Sequence, residues 1–135
     1  MAVLQHSVRV RNARLDVIES TTGVSPKLRI YTGSMPANCA ASAAGTLLAE
    51  ITCPSDWMNA ASGGTKTLAG SWTVAASGTG NAGYYRIYDS GATNCDEQGD
   101  ITATGGGGAM TVDNVSVASG QTVTVTSKTL TEGNA

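Results

Sequence analysis

The sequence has no phenylalanine and only 23 Val, Ile and Leu residues, while Gly, Ala, Ser and Thr make up half of its 135 positions. Large apolar side chains are scarce for a chain of one-domain length, so the two Trp and four Tyr must supply much of the bulk of any core. So low an apolar content signals disorder when the net charge is high, but here the formal charge is −2 and charged residues are 13% of the chain. A folded chain is therefore expected. Ordering its backbone costs about 1–2 kcal/mol per residue, which so thin an apolar inventory meets poorly. That predicts further burial at subunit contacts and a homo-oligomer, a dimer or a trimer.

Positive charge is also sparse. The nearest approach to a basic stripe is Arg9, Arg11 and Arg14, which is too little for neutralising phosphates, so no direct nucleic-acid partner is expected. No run approaches the roughly 18 apolar residues of a membrane span, and Met1–Arg11 carries charges where a signal peptide needs an apolar centre. Synthesis in the cytoplasm and no membrane partner follow as expectations. With one histidine, His6, and three cysteines far apart, no set of metal ligands assembles and no cofactor is expected. Of the cysteines, Cys39 and Cys95 lie in polar, loop-like surroundings, whereas Cys53 ends an apolar run. If any pair is bridged it is Cys39 with Cys95; the competing reading is three free thiols in a reducing cytosol.

Catalytic constellations are missing as well. There is no Gly-x-Ser-x-Gly elbow and no cysteine with a histidine partner in its sequence context. The only adjacent carboxylates, Asp96 and Glu97, read as part of a solvated loop from Asn94 to Gly99 rather than a glycosidase pair. Gly105-Gly106-Gly107-Gly108 is followed by no Lys-Ser or Lys-Thr, so it reads as a hairpin loop and not a phosphate cradle. Asp113-Asn114 lacks the repeat of a calcium-binding solenoid. A non-enzymatic protein is expected.

What is present is β-branched and small. Residues 4–22 read as the one long helix, with Leu4, Val8, Leu15 and Ile18 near helical spacing and Gly23 placed for a C-cap. Its Arg9, Arg11 and Arg14 precede Asp16 and Glu19, opposite to what the helix dipole favours. With no Glu-to-Lys or Glu-to-Arg pair at four-residue spacing, the helix is expected to dock on something. Strands are predicted at 27–32, 46–53, 66–76, 82–89, 99–104, 109–117 and 121–131, with a short helical turn over 55–61 that packs Trp57 and Met58 inward. The fold class is all-β: a β-sandwich or jelly roll of about seven to eight short strands (residues 25–135) with one N-terminal helical segment (residues 1–24). Tyr84, Arg86 and Tyr88 share one strand face opposite Tyr85 and Ile87. With Trp72 these tyrosines either fill the core or line a glycan- or receptor-binding face.

Ala13-Arg14-Leu15-Asp16-Val17-Ile18-Glu19, then Ser25 through Gly33, Met35-Pro36-Ala37-Asn38-Cys39, Leu47-Leu48-Ala49, Pro54-Ser55-Asp56-Trp57-Met58, Tyr84-Tyr85-Arg86-Ile87-Tyr88-Asp89 and Ser119 through Val125 carry a resemblance that ends at Gly133-Asn134-Ala135. On these segments the chain resembles a family of small virion proteins of tailed bacteriophages. The resemblance implies a structural role, with attachment to the outside of the capsid as a decoration or cement protein. The implied partner is the major capsid protein, and the alternatives are a tail, neck or fibre component. The N-terminal segment, through Leu4, Val8, Arg9, Arg11, Arg14, Leu15 and Ile18, is the expected subunit or capsid contact. Deleting residues 1–22 is accordingly expected to leave a folded β domain that fails to assemble.

Overall fold

The computed structural model describes residues 3–132, so the terminal Gly133-Asn134-Ala135 of the resemblance lies outside the described residues. One helix, α1 (Val8–Thr22), is followed by nine strands: β1 (Lys27–Thr32), β2 (Leu47–Thr52), β3 (Thr65–Thr67), β4 (Thr73–Ala75), β5 (Gly80–Tyr88), β6 (Cys95–Ala103), β7 (Met110–Val112), β8 (Ser116–Val117) and β9 (Thr122–Thr131). They form one curled sheet in the order β2-β1-β5-β6-β7-β9-β3, with β4 paired to β9 and β8 to β5. All neighbours are antiparallel except β6 and β7, which run parallel. The curl brings the stretch after β4 back to the β2 edge, where Ser77 and Gly78 donate their amides to the Leu48 carbonyl at 2.9 and 3.1 Å.

The mostly-β expectation holds, with nine strands in place of seven or eight because two of the predicted runs are broken. Gly70, at φ +72°, interrupts 66–76. In 109–117, the Asp113 carboxylate accepts from the Asn114 amide and the Asn114 side chain from Ser116, an Asx arrangement that turns the chain. The predicted helical turn over 55–61 is instead extended. Met58 bridges Leu68, and the Asn59 amide donates to the Thr67 carbonyl at 2.8 Å. Trp57 and Met58 are buried as expected.

Strand alternation sorts the sheet into two covered faces. The inner face carries Leu28, Ile30, Ile51, Tyr85, Ile87 and Ile101, closed over by Trp57, Trp72, Val123 and Val125. Trp57 and Trp72 have ring centroids 6.0 Å apart. The outer face carries Arg29, Tyr31, Tyr84, Arg86 and Tyr88, with Tyr31 stacked on Tyr84 at 5.2 Å and Arg29 over the Tyr88 ring at 4.9 Å. Its cover is the loop from Gly33 to Gly45. Tyr84 Oη bonds both the amide and the carbonyl of Ala44, at 2.9 and 2.6 Å, and Gln98 Nε2 donates to the Pro36 carbonyl at 2.8 Å. The glycine run has a structural reason of its own. Residues 104–109 must return the chain parallel to β6 in very little length, with Gly105 and Gly107 at φ +85° and +80°. A Cβ on Gly106 would sit 2.7 Å from Thr102. The run is a parallel return and not a hairpin.

Candidate functional site

The N-terminal segment is the region that the sequence singles out, and the structure divides it in two. Helix α1 starts at Val8 and not at residue 4, because Ser7 caps it: the Ser7 hydroxyl accepts from the Val10 amide at 3.3 Å. Gly23 ends it at φ +87°, its amide on the Glu19 carbonyl at 2.9 Å. Residues 3–7 precede the helix without regular structure, and Val3 and Leu4 are 81% and 66% exposed.

The helix is fastened to its own sheet by a polar stripe. Asn12, Asp16 and Glu19, at helical spacing, accept from the backbone amides of Gly64 (2.9 Å), Ala61 (3.1 Å) and Met58 (3.1 Å). Those amides belong to irregular backbone that would otherwise lack partners. Lys66, only 1% exposed, donates from Nζ to Asp16 at 2.7 Å and to Glu19 at 2.9 Å. Burial alone would lower the Lys66 ammonium, but the hydrogen bonds to the two carboxylates outweigh it and hold it above its ordinary value. The Lys66 bond, then that of the Ala61 amide, holds Asp16 below the usual carboxylate value. At the far end, Trp57 Nε1 donates to the Gly23 carbonyl at 2.9 Å. An open cleft of about 650 Å³ runs between this helix face and the loop of Ser55, Asp56 and Met58.

Seven residues were expected at a subunit or capsid contact. Of these, Leu15 is buried in its own chain and Ile18 is half-buried. Arg11 and Arg14 are not unpaired. Arg11 Nη1 donates to the Glu132 carbonyl at 3.2 Å, and Arg14 Nη2 meets the Glu132 carboxylate at 2.9 Å. Glu132, just past β9, meets the helix and takes both cations. Leu4, Val8 and Arg9 remain exposed.

Tyr84, Tyr85, Tyr88 and Trp72 are all buried, so no sugar-stacking face is presented by them. The Asp96-Glu97 loop is strand. Within β6, Glu97 points inward, bridging Lys128 Nζ and accepting from Tyr85 Oη at 2.6 Å, while Lys128 Nζ also reaches Tyr85 Oη at 3.0 Å. Burial, and then the Glu97 charge, push the Tyr85 phenol up and keep it a donor. The loop reading of Asn94–Gly99 misses this Tyr85–Glu97–Lys128 set, in which a half-buried carboxylate meets a buried ammonium; alternation along 95–103 is the available signal. Cys39, Cys53 and Cys95 are unbridged. Burial pushes the Cys53 thiol up to about 12. Among the described residues no three His, Cys, Asp or Glu side chains are grouped to hold a metal ion, and no helix is long and apolar enough to cross a membrane. No protein-family model, no curated protein and no solved structure matches this chain.

Proposed function

We propose that this chain is a virion structural protein of a tailed bacteriophage, made in the host cytoplasm, that decorates the outside of the capsid shell and bridges neighbouring copies of the major capsid protein. The observation that carries the reading is the distribution of exposed apolar residues. Of the seven large ones among the described residues, Val3, Leu4, Val8, Val17 and Val24 precede β1, and only Met35 in the covering loop and Leu47 at the start of β2 lie beyond it. Val3, Leu4 and Val8 fall together at the entry to the helix, and apolar side chains left exposed there mark a surface that awaits a partner. The resemblance to small phage virion proteins supplies the partner class, and the curled sheet reads as a sandwich-like assembly module in that setting.

Magnitudes constrain how such attachment works. Burying Val3, Leu4 and Val8 gains about 2 kcal/mol each, while ordering the preceding arm costs about 1–2 kcal/mol per residue. One arm therefore binds weakly. A dimer or trimer presenting several arms to a lattice of repeated sites gains by multivalency what each contact lacks. Quantitative mass spectrometry of purified particles tests the placement. Hundreds of copies per particle are expected for a shell protein; about a dozen would assign it to the neck or tail, and none would end the virion reading.

A further inference from the structure

We propose that Cys39 and Cys95 are a redox-closable pair whose disulfide staples the loop from Gly33 to Gly45 onto the outer face of the sheet. This does not depend on where the protein resides. The two residues are far apart in sequence, yet the docked loop sets the Cys39 side chain beside that of Cys95, and both thiols are free. The contact is built from both sides. Cys95 opens β6 opposite Tyr88, at the register shift between β5 and β6. Cys39 is held by its neighbours: the Asn38 side chain accepts from the amides of Ala40 and Ala41, both at 3.0 Å, and the Asn38 carbonyl accepts from Arg86 Nη2 at 3.1 Å. The Gln98 bond to the Pro36 carbonyl fixes the loop three residues earlier. Anchored on both sides, Cys39 stays over the face that carries Tyr88 and, opposite it in register, Cys95, so the loop need not swing in from elsewhere to meet its partner.

Arg86 completes the set. It is 2% exposed and its hydrogen bonds go to neutral groups, Gln98 Oε1, Tyr88 Oη and the Asn38 carbonyl, with no carboxylate facing it. Its charge acts on Cys95 and favours the thiolate there, although burial and the Cys39 thiol dominate and push Cys95 up to about 11. A thiol raised this far is a poor first nucleophile near neutral pH, which suits Cys95 to the second step. With a low-molecular-weight disulfide as oxidant, the Cys39 thiolate attacks one sulfur and expels the other as thiolate, leaving a mixed disulfide on Cys39. Cys95 then loses its proton to water and attacks Cys39 Sγ, expelling the second small thiolate. Two protein thiols are oxidised, one small disulfide is reduced to two thiols, and the protons end on those thiols.

The test uses the full chain equilibrated in oxidised glutathione, quenched by alkylation and mapped without reduction. A peptide carrying Cys39 joined to one carrying Cys95 is expected, within a single chain, with Cys53 alkylated alone. The oxidised protein should melt several degrees higher than the reduced one. Cys39→Ser and Cys95→Ser should each abolish that rise, and Cys53→Ser should keep it. Full alkylation of Cys39 and Cys95 after equilibration, a stable glutathione adduct on either, a linkage between chains, or a closed bond without a rise in Tm would each overturn the proposal. The wild-type mapping decides it even if a serine variant fails to fold.

Discussion

Lys66 and Lys128 are each 1% exposed, and both are held by carboxylates brought from distant parts of the chain. For Lys128, Glu97→Ala leaves a buried ammonium without its counter-charge, which costs about 3–5 kcal/mol. Replacing both members, Glu97→Leu with Lys128→Met, should recover most of that loss, as equilibrium urea unfolding of the two single variants and the double variant will show. For Lys66 the readable quantity is pH dependence. The folded pKa of Asp16 lies below its ordinary 3.8, so its contribution is complete above 3.8 and fades as the pH falls through the folded value. That of Lys66 lies above 10.5, so its contribution is complete below 10.5 and is lost as the pH rises through the folded value. Helix docking should therefore be flat between these limits and weaken outside both. Trp57 fluorescence reports it, since the indole bonds the helix end, and Lys66→Met should remove the alkaline limb.

At the scale of elements, the contacts that fix the strands are mostly local irregularities. On β5, Tyr31 pairs with Tyr84 but Thr32 with Ala82, so Gly83 is the extra residue of a bulge. A Cβ there would lie 1.9 Å from the Gly33 carbonyl oxygen, and rigid backbone cannot give way as a side-chain tip can. Gly83→Ala should destabilise by about 2 kcal/mol or more, whereas Gly91→Ala, where the nearest atom is 3.6 Å away, should be close to neutral. Thermal melting of the two variants side by side separates them, and equal losses would remove the bulge as the cause. Helix α1 is likewise an element held by specific partners. Its buried side chains are only Leu15 and Thr22, and its anchorage is the stripe of Asn12, Asp16 and Glu19.

For the whole molecule, the anchorage changes what truncation should do. Read from the sequence, residues 1–24 are a separable segment whose loss spares the sheet. In the fold, removing residues 1–22 strips Lys66 of Asp16 and Glu19, the Met58, Ala61 and Gly64 amides of their acceptors, and Glu132 of Arg11 and Arg14. That truncation should lower the Tm sharply or prevent folding. Removing only residues 1–4, where Val3 and Leu4 stand exposed, keeps the Ser7 cap and every one of those contacts, so it should leave the circular dichroism and Tm unchanged while abolishing attachment to capsids. Undiminished capsid binding by the short truncation would refute the arm as the attachment element.

Several features were readable from the sequence because they rest on local rules. The alternation of Leu28 and Ile30 with Arg29 and Tyr31 gave β1 its bounds, Gly23 marked the helix end, and Val123 and Val125 among threonines gave β9. The mostly-β class followed from these short alternating runs. What tertiary structure decided is where polar groups find partners, because that depends on residues far apart in the chain. Arg11 and Arg14 looked free until Glu132 came beneath them, and Glu97 looked like loop until Lys128 and Tyr85 made an inward carboxylate tolerable. The helix was expected to dock through apolar spacing. It docks through acceptors at 12, 16 and 19, because the irregular backbone at 58–64 has amide hydrogens that burial would otherwise leave unpaired.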